Sequence, residues 1–250
     1  MITIIILIIV LALIIDFEAV AQFISDVIKW IKQNPEEATV YIFIVFCLTE
    51  IFCIPIGPKF LYVAYLYCSI TQSFWKGFFI SLALTYTAMM LSFNVEFYLG
   101  RYKLQDYVIR KIEENKEKKP WLENFYLVDD IFREGNEGNQ SLKMVALIRV
   151  MIHPPSITSY CLGTTAVKFW QFSVGSLAWI YKNTFKIWIS CKFYEIDFVA
   201  NEKEKEDEQF KQNIIVVIHI ILASIVNICI ACYCKTIFDQ KLQQRRILNE

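Results

Sequence analysis

Glycine and proline are scarce in this 250-residue chain, at seven and six. That scarcity excludes collagen-like repeats, Gly-rich linkers and long disordered tracts. Histidine occurs only twice, at the Pro-flanked His153 and within an apolar run at His219. A histidine-based metal site or catalytic triad is therefore not expected. Net charge is lacking too: 25 basic residues meet 25 acidic ones, which removes any bulk electrostatic argument for nucleic acid. The chain has no G-x-x-x-x-G-K-[ST], H-E-x-x-H, G-x-S-x-G or G-x-G-x-x-G motif, so neither bond-making catalysis nor a cofactor is expected.

What is present is apolar: 56 % hydrophobic residues against 20 % charged, with the charges gathered into a few stretches. Six of the eight cysteines (Cys47, Cys53, Cys68, Cys161, Cys229 and Cys232) sit in apolar runs, where a thiol acts as a small hydrophobe. Cys229-Ile-Ala-Cys232 is formally C-x-x-C but has no partner ligands, and Cys232 and Cys234 near a membrane edge are candidates for acylation. The composition reads as an all-α, polytopic membrane protein.

Residues 2–15 form a short apolar run without a basic start. A short anchor and a signal peptide cut near Ala19-Val20-Ala21 both fit, and the missing basic region favours the anchor. Phe23, Val27 and Ile31, with Ile24 and Ile28, give residues 19–33 one apolar face, predicting an amphipathic helix stopped at Asn34-Pro35. Residues 38–54 are apolar but carry Glu50, break at Pro55-Ile56-Gly57-Pro58, and resume at Phe60–Cys68. Two half-length arms around a break suggest a re-entrant hairpin. Residues 73–99 read as a full span. Residues 101–143 are charged and read as two surface helices broken at Pro120. Residues 142–163 repeat the broken pattern around His153-Pro154-Pro155. Spans are expected at 169–189 and 214–233, with a charged loop at 192–212 between them.

Two broken hairpins, each followed by a span, suggest an inverted-repeat-like membrane fold with a site near the midplane. Lys and Arg number nine in residues 101–143 and four in 235–250, against two in 16–37 and four in 192–212. The positive-inside rule then puts 101–143 and the tail in the cytosol. Three regions follow: residues 1–37, an anchor or signal segment plus amphipathic helix; 38–195, the membrane domain; and 196–250, a charged lumenal loop, the last span and a tail.

Ordered motifs run through the membrane domain: Glu50, Pro55-Ile56-Gly57-Pro58, Tyr98-Leu99-Gly100-Arg101-Tyr102, Phe132-Arg133-Glu134-Gly135, Arg149, Pro154-Pro155 and Tyr160-Cys161-Leu162-Gly163-Thr164-Thr165. Over about residues 40–195 this order resembles the VTT-domain/DedA family, the SNARE-associated Golgi proteins. The resemblance implies lipid handling: bacterial members are implicated in flipping lipid-linked phosphate carriers, and eukaryotic members in scrambling phospholipids in endoplasmic reticulum and Golgi membranes. It implies a multi-pass endomembrane protein whose partners are phospholipid headgroups, with membrane-protein partners conceivable and oligomeric state unspecified. Tyr65 and Cys68 stand where the family has glycines, and Ser159 where it has Asn. These departures leave less room for tight backbone approach.

The candidate lipid-binding residues are Glu50, Pro55, Gly57, Lys59, Arg101, Arg149, His153, Pro154, Pro155, Tyr160 and Gly163. An intramembrane carboxylate is a functional candidate by default, though Glu50 also suits a structural pair with Lys59 or Arg149. Arg149 suits bidentate grip on a phosphate or an interhairpin salt bridge. Their equivalent positions predict that Glu50 and Arg149 approach each other. Glu96 is expected to pair with Arg101 or reach the interface, and Lys182 and Lys186 to snorkel outward. Three functions remain open: an ATP-independent phospholipid scramblase or flippase, a proton-coupled lipid-phosphate or anion transporter, and a non-transporting structural or assembly subunit.

Overall fold

The structure, a computed structural model, describes residues 17–54, 59–115, 123–134, 139–151, 154–201 and 206–249. Among the described residues every regular element is a helix and none is a strand. The chain divides into two compact units, residues 1–42 and 43–250.

The first unit holds α1 (Phe17–Gln33) and the start of α2 (Pro35–Ile51). Phe23, Val27 and Ile28 on α1 are exposed, consistent with the amphipathic face read from the sequence. Asn34 ends α1: its backbone N–H and side-chain amide both donate to the Trp30 carbonyl. Pro35 then opens α2, where a missing N–H costs nothing. The short apolar run at 2–15 lies outside the described residues.

In the second unit α2 ends with Cys53 at φ 52°, its N–H on the Glu50 carbonyl and that of Ile54 on the Thr49 carbonyl. This is a Schellman turn with cysteine where glycine is usual. Helix α3 (Lys59–Thr71) follows, then α4 (Phe74–Leu99). Twenty-six residues at 1.5 Å each make α4 about 39 Å long, enough for a hydrocarbon layer of roughly 30 Å. Through a π-helical turn at Gly100–Leu104 it continues into α5 (Gln105–Asn115), and Phe74–Asn115 is long and apolar enough to cross a membrane. Helix α6 (Glu123–Glu134) follows, with Phe132 fully buried; Pro120, the expected break between two surface helices, lies outside the described residues.

Helices α7 (Gln140–Val150) and α8 (Pro155–Gly163) flank the second break, where Met151 and Pro154 are extended. The expected span 169–189 is not one helix. It is α9 (Phe169–Ser176), a 3₁₀ turn (Leu177–Trp179) and α10 (Ile180–Asn201). Nor is 192–212 simply a loop, since α10 runs into it and α11 (Glu206–Asn249) starts within it. At 44 residues α11 extends well beyond the apolar stretch 214–233.

The packing order is α3 on α4 and α10, α8 on α4, and α9 on α7. Ala64, Cys68, Phe78, Ile187 and Cys191 form a buried apolar cluster among α3, α4 and α10. Polarity is inverted relative to a water-soluble bundle. Glu50, Glu96, Arg149, Gln171 and Asn183 are buried, while Tyr62, Trp75, Phe79 and the α11 residues Ile221, Leu222 and Ile225 are exposed. Buried charge with an apolar exterior is the distribution a lipid solvent favours.

Candidate functional site

An ion pair at the first break and a hydrogen-bonded guanidinium at the second hold the broken helices. At the end of α2, Glu50 is buried and forms an ion pair with Lys59, the first residue of α3. The same carboxylate accepts from the Ser156 hydroxyl at 2.6 Å. Lys59 also reaches the Thr49 hydroxyl at 3.3 Å and lies 4.5 Å from the Phe46 ring centre. An acid before the break and a base after it therefore close across it. Tyr160 donates its hydroxyl to the Ile51 carbonyl at 2.6 Å, satisfying one carbonyl at the α2 terminus. Pro55 and Gly57 lie outside the described residues.

Arg149 is fully buried near the end of α7. Its Nε donates to Ser176 at 3.0 Å, Nη1 to the Pro155 carbonyl at 3.0 Å, and Nη2 to Ser159 at 2.8 Å. Phe93 and Phe172 hold the guanidinium between rings at 4.1 and 5.0 Å. Ser159, standing where the family has Asn, supplies the hydroxyl this arrangement needs. Glu50 and Arg149 do not form an ion pair with each other. Both bond the first turns of α8 instead, Glu50 through Ser156 and Arg149 through Pro155 and Ser159. Pro154 accepts the Thr158 N–H and hydroxyl there, fixing the helix start, while His153 lies outside the described residues.

The carboxylate facing Arg149 is Glu96. It does not pair with Arg101 or reach an interface: it is fully buried on α4, and neither oxygen has a hydrogen-bond partner among the described residues. The polar groups around it are Ser159, Ser156, Arg149 and Glu50. A signal was present in the sequence. Ser81, Thr85, Ser92 and Glu96 recur at helical spacing and form one buried polar stripe along α4.

Lys182 and Lys186 turn inward. Lys182 donates to the Met151 carbonyl at the second break and lies 5.1 Å from the Trp179 ring centre. Lys186 lies 4.6 Å from the Phe60 ring centre and 5.4 Å from that of Trp179, within the field of Glu50 and Lys59. Between them Asn183 donates to Thr85 at 3.0 Å.

Arg101 and Gly163 belong to a separate joint. Arg101 donates to the Val167 carbonyl at 2.7 Å and stacks 5.0 Å from the Phe97 ring centre. Gly163 faces Gly100: a Cβ on either would strike the other helix's backbone, at the Phe97 carbonyl for Gly163 and the Tyr160 carbonyl for Gly100. The Tyr98–Tyr102 and Tyr160–Thr165 motifs thus meet in space, which explains physically why they occur together.

A VTT domain model matches residues 54–186, more than half of the chain. No curated protein matches it, and no solved structure does. The matched segment contains both breaks, the Gly100–Gly163 joint and every candidate residue but Glu50, which lies four residues before it. With its ordered motifs packed into one helical unit and its polarity inverted toward lipid, this chain belongs to the VTT domain family of membrane-associated proteins.

Proposed function

We propose that this chain is a multi-pass endomembrane protein that moves phospholipid between leaflets without nucleotide. Its two broken helix pairs would act as re-entrant hairpins entering from opposite faces. The observation that supports this reading is the line of ionic side chains at the two breaks, inside a chain with an apolar exterior. Moving a bare charge through hydrocarbon is costly. Glu50, Lys59, Glu96, Lys182 and Lys186 offer a headgroup replacement partners while the tails stay in lipid. Arg149 has a different part: each of its nitrogens already has an internal acceptor, so it fixes α7 to α8 and α9.

That full internal use of Arg149, with Cys68 packed on Gly77, also favours a second reading, a static assembly subunit that retains the fold. Reconstitution separates the two. Purified protein in liposomes should expose inner-leaflet fluorescent phospholipid to an external quencher faster than protein-free liposomes do, and Glu50→Gln should slow this several-fold. Exchange no faster than in empty liposomes supports the subunit reading. Exchange that requires a pH gradient would instead make Glu50 a proton carrier.

A further inference from the structure

We propose that Lys182 and Lys186 select headgroups of net negative charge, which rests on the lipid-moving reading for the site's use but not for its binding. The argument is a charge inventory. Among the described residues, two acids, Glu50 and Glu96, and four bases, Lys59, Arg149, Lys182 and Lys186, stand around the two breaks. The sequence flanking the breaks brings no further acid. Residues 38–105 contain only those two carboxylates, residues 144–194 contain none, and neither does the apolar part of α11 from 209 to 238. Both breaks, 55–58 and 152–153, are also free of Asp and Glu. Lys59 is matched by Glu50, and Arg149 faces Glu96.

Lys182 and Lys186 are the surplus. Lys182 has one carbonyl acceptor, at the break. Lys186 has no hydrogen-bond acceptor among the described residues and rests on the faces of Phe60 and Trp179. Ring faces hold a cation in place while leaving its N–H donors available. Two excess positive charges in a low-dielectric site call for an anion, and a phosphate oxygen is the acceptor such ammonium groups suit. A zwitterionic headgroup brings its own cation into the same field and loses most of that attraction. An acidic headgroup such as that of phosphatidic acid or phosphatidylserine does not. Spaced four apart on α10, the two lysines reach both breaks, Lys182 the second and Lys186 the first, so one helix presents the surplus to both hairpins.

The test is binding, which does not depend on transport. Thermal stabilisation of the purified full-length chain in detergent is titrated with dihexanoyl phosphatidic acid, dihexanoyl phosphatidylcholine and inorganic phosphate. Phosphatidic acid should stabilise at a concentration about tenfold or more below that of phosphatidylcholine, the preference expected for at least one unit charge matched in a poorly screened site. Lys182→Gln with Lys186→Gln should reduce that ratio to about twofold or less. Should the double variant fail to fold, Lys186→Gln alone serves, because it breaks no hydrogen bond seen in the structure. Equal titration by both lipids in the wild type overturns the proposal, as does a ratio the variants leave unchanged. Stabilisation by inorganic phosphate as potent as by phosphatidic acid overturns the lipid assignment in favour of the free anion. A preference found without leaflet exchange in vesicles keeps the selective site and refutes transport, whereas exchange without preference does the reverse.

Discussion

Arg149→Lys is the sharpest perturbation of the second break, because it keeps the charge and removes the fork. Three guanidinium nitrogens reach three acceptors on two other helices: Ser176 on α9, and the Pro155 carbonyl and Ser159 on α8. A lysine ammonium at the end of a thinner stem can retain one of these. Two hydrogen bonds to a charged donor are then lost, at about 1.5–3 kcal/mol each, and the shape match between Phe93 and Phe172 goes with them. The cost is roughly 3–6 kcal/mol, which at about 2–4 °C per kcal/mol for a chain this long lowers the melting temperature by on the order of 10 °C. Once the exposed thiols of Cys53, Cys161, Cys229 and Cys232 are blocked, buried Cys47, Cys68 and Cys191 give the readout, since a thiol-reactive fluorophore labels them as the bundle opens. A variant melting within about 2 °C of the wild type would refute the reasoning: Arg149 would then act as a charge, and the fork would not tie α7 to α8 and α9. Glu96→Gln should also couple to Arg149→Met by more than the ~0.5 kcal/mol expected of independent sites. Additive effects would show that Glu96 is not the carboxylate balancing Arg149.

Gly163→Ala should destabilise by about 2–3 kcal/mol, because the new methyl meets the Phe97 carbonyl and the Gly100 backbone rather than a yielding side chain; an unchanged melting curve counts against the joint. The Cys68 and Cys191 sulfurs lie 3.1 Å apart, so diamide treatment should join their peptides in non-reducing digests, and complete alkylation of both thiols afterwards would contradict the packing of α3 on α10. Asn139 of the sequon Asn139-Gln140-Ser141 should stay unglycosylated, whereas a sequon engineered into residues 201–208 should be modified; an endoglycosidase-sensitive glycan on Asn139 would invert the topology. The folded chain adds a second barrier there, since the Ser141 hydroxyl is buried on the Phe132 carbonyl.

What could be read from the sequence depended on whether the signal was local. The start of α2 at Pro35, the long apolar α4 and the break ahead of α8 follow from proline chemistry and run length, and each appears where the residues place it. The 3₁₀ turn at Leu177–Trp179 has only the Gly175-Ser176 pair before it as a local signal, and the apolar residues of the turn themselves read as helix. Charge partners were harder still. Glu50 had two plausible mates, Lys59 and Arg149, and only the geometry of the break decides for Lys59, nine residues away. Glu96 and Arg101 are five residues apart, which on a regular α-helix, at 100° per residue, sets their directions about 140° apart. That angle alone argues against the expected pair. It turns Glu96 toward α8 and Arg149, and Arg101 toward the Val167 carbonyl. The two lysines of α10 show the limit from the other side. An i, i+4 pair in an apolar run fits outward snorkelling as well as an inward charge site. Only the Met151 carbonyl and the Phe60 ring, brought in from separate helix pairs, distinguish the two. Where the long side chain of a lysine ends is set by its acceptors, and those acceptors are tertiary.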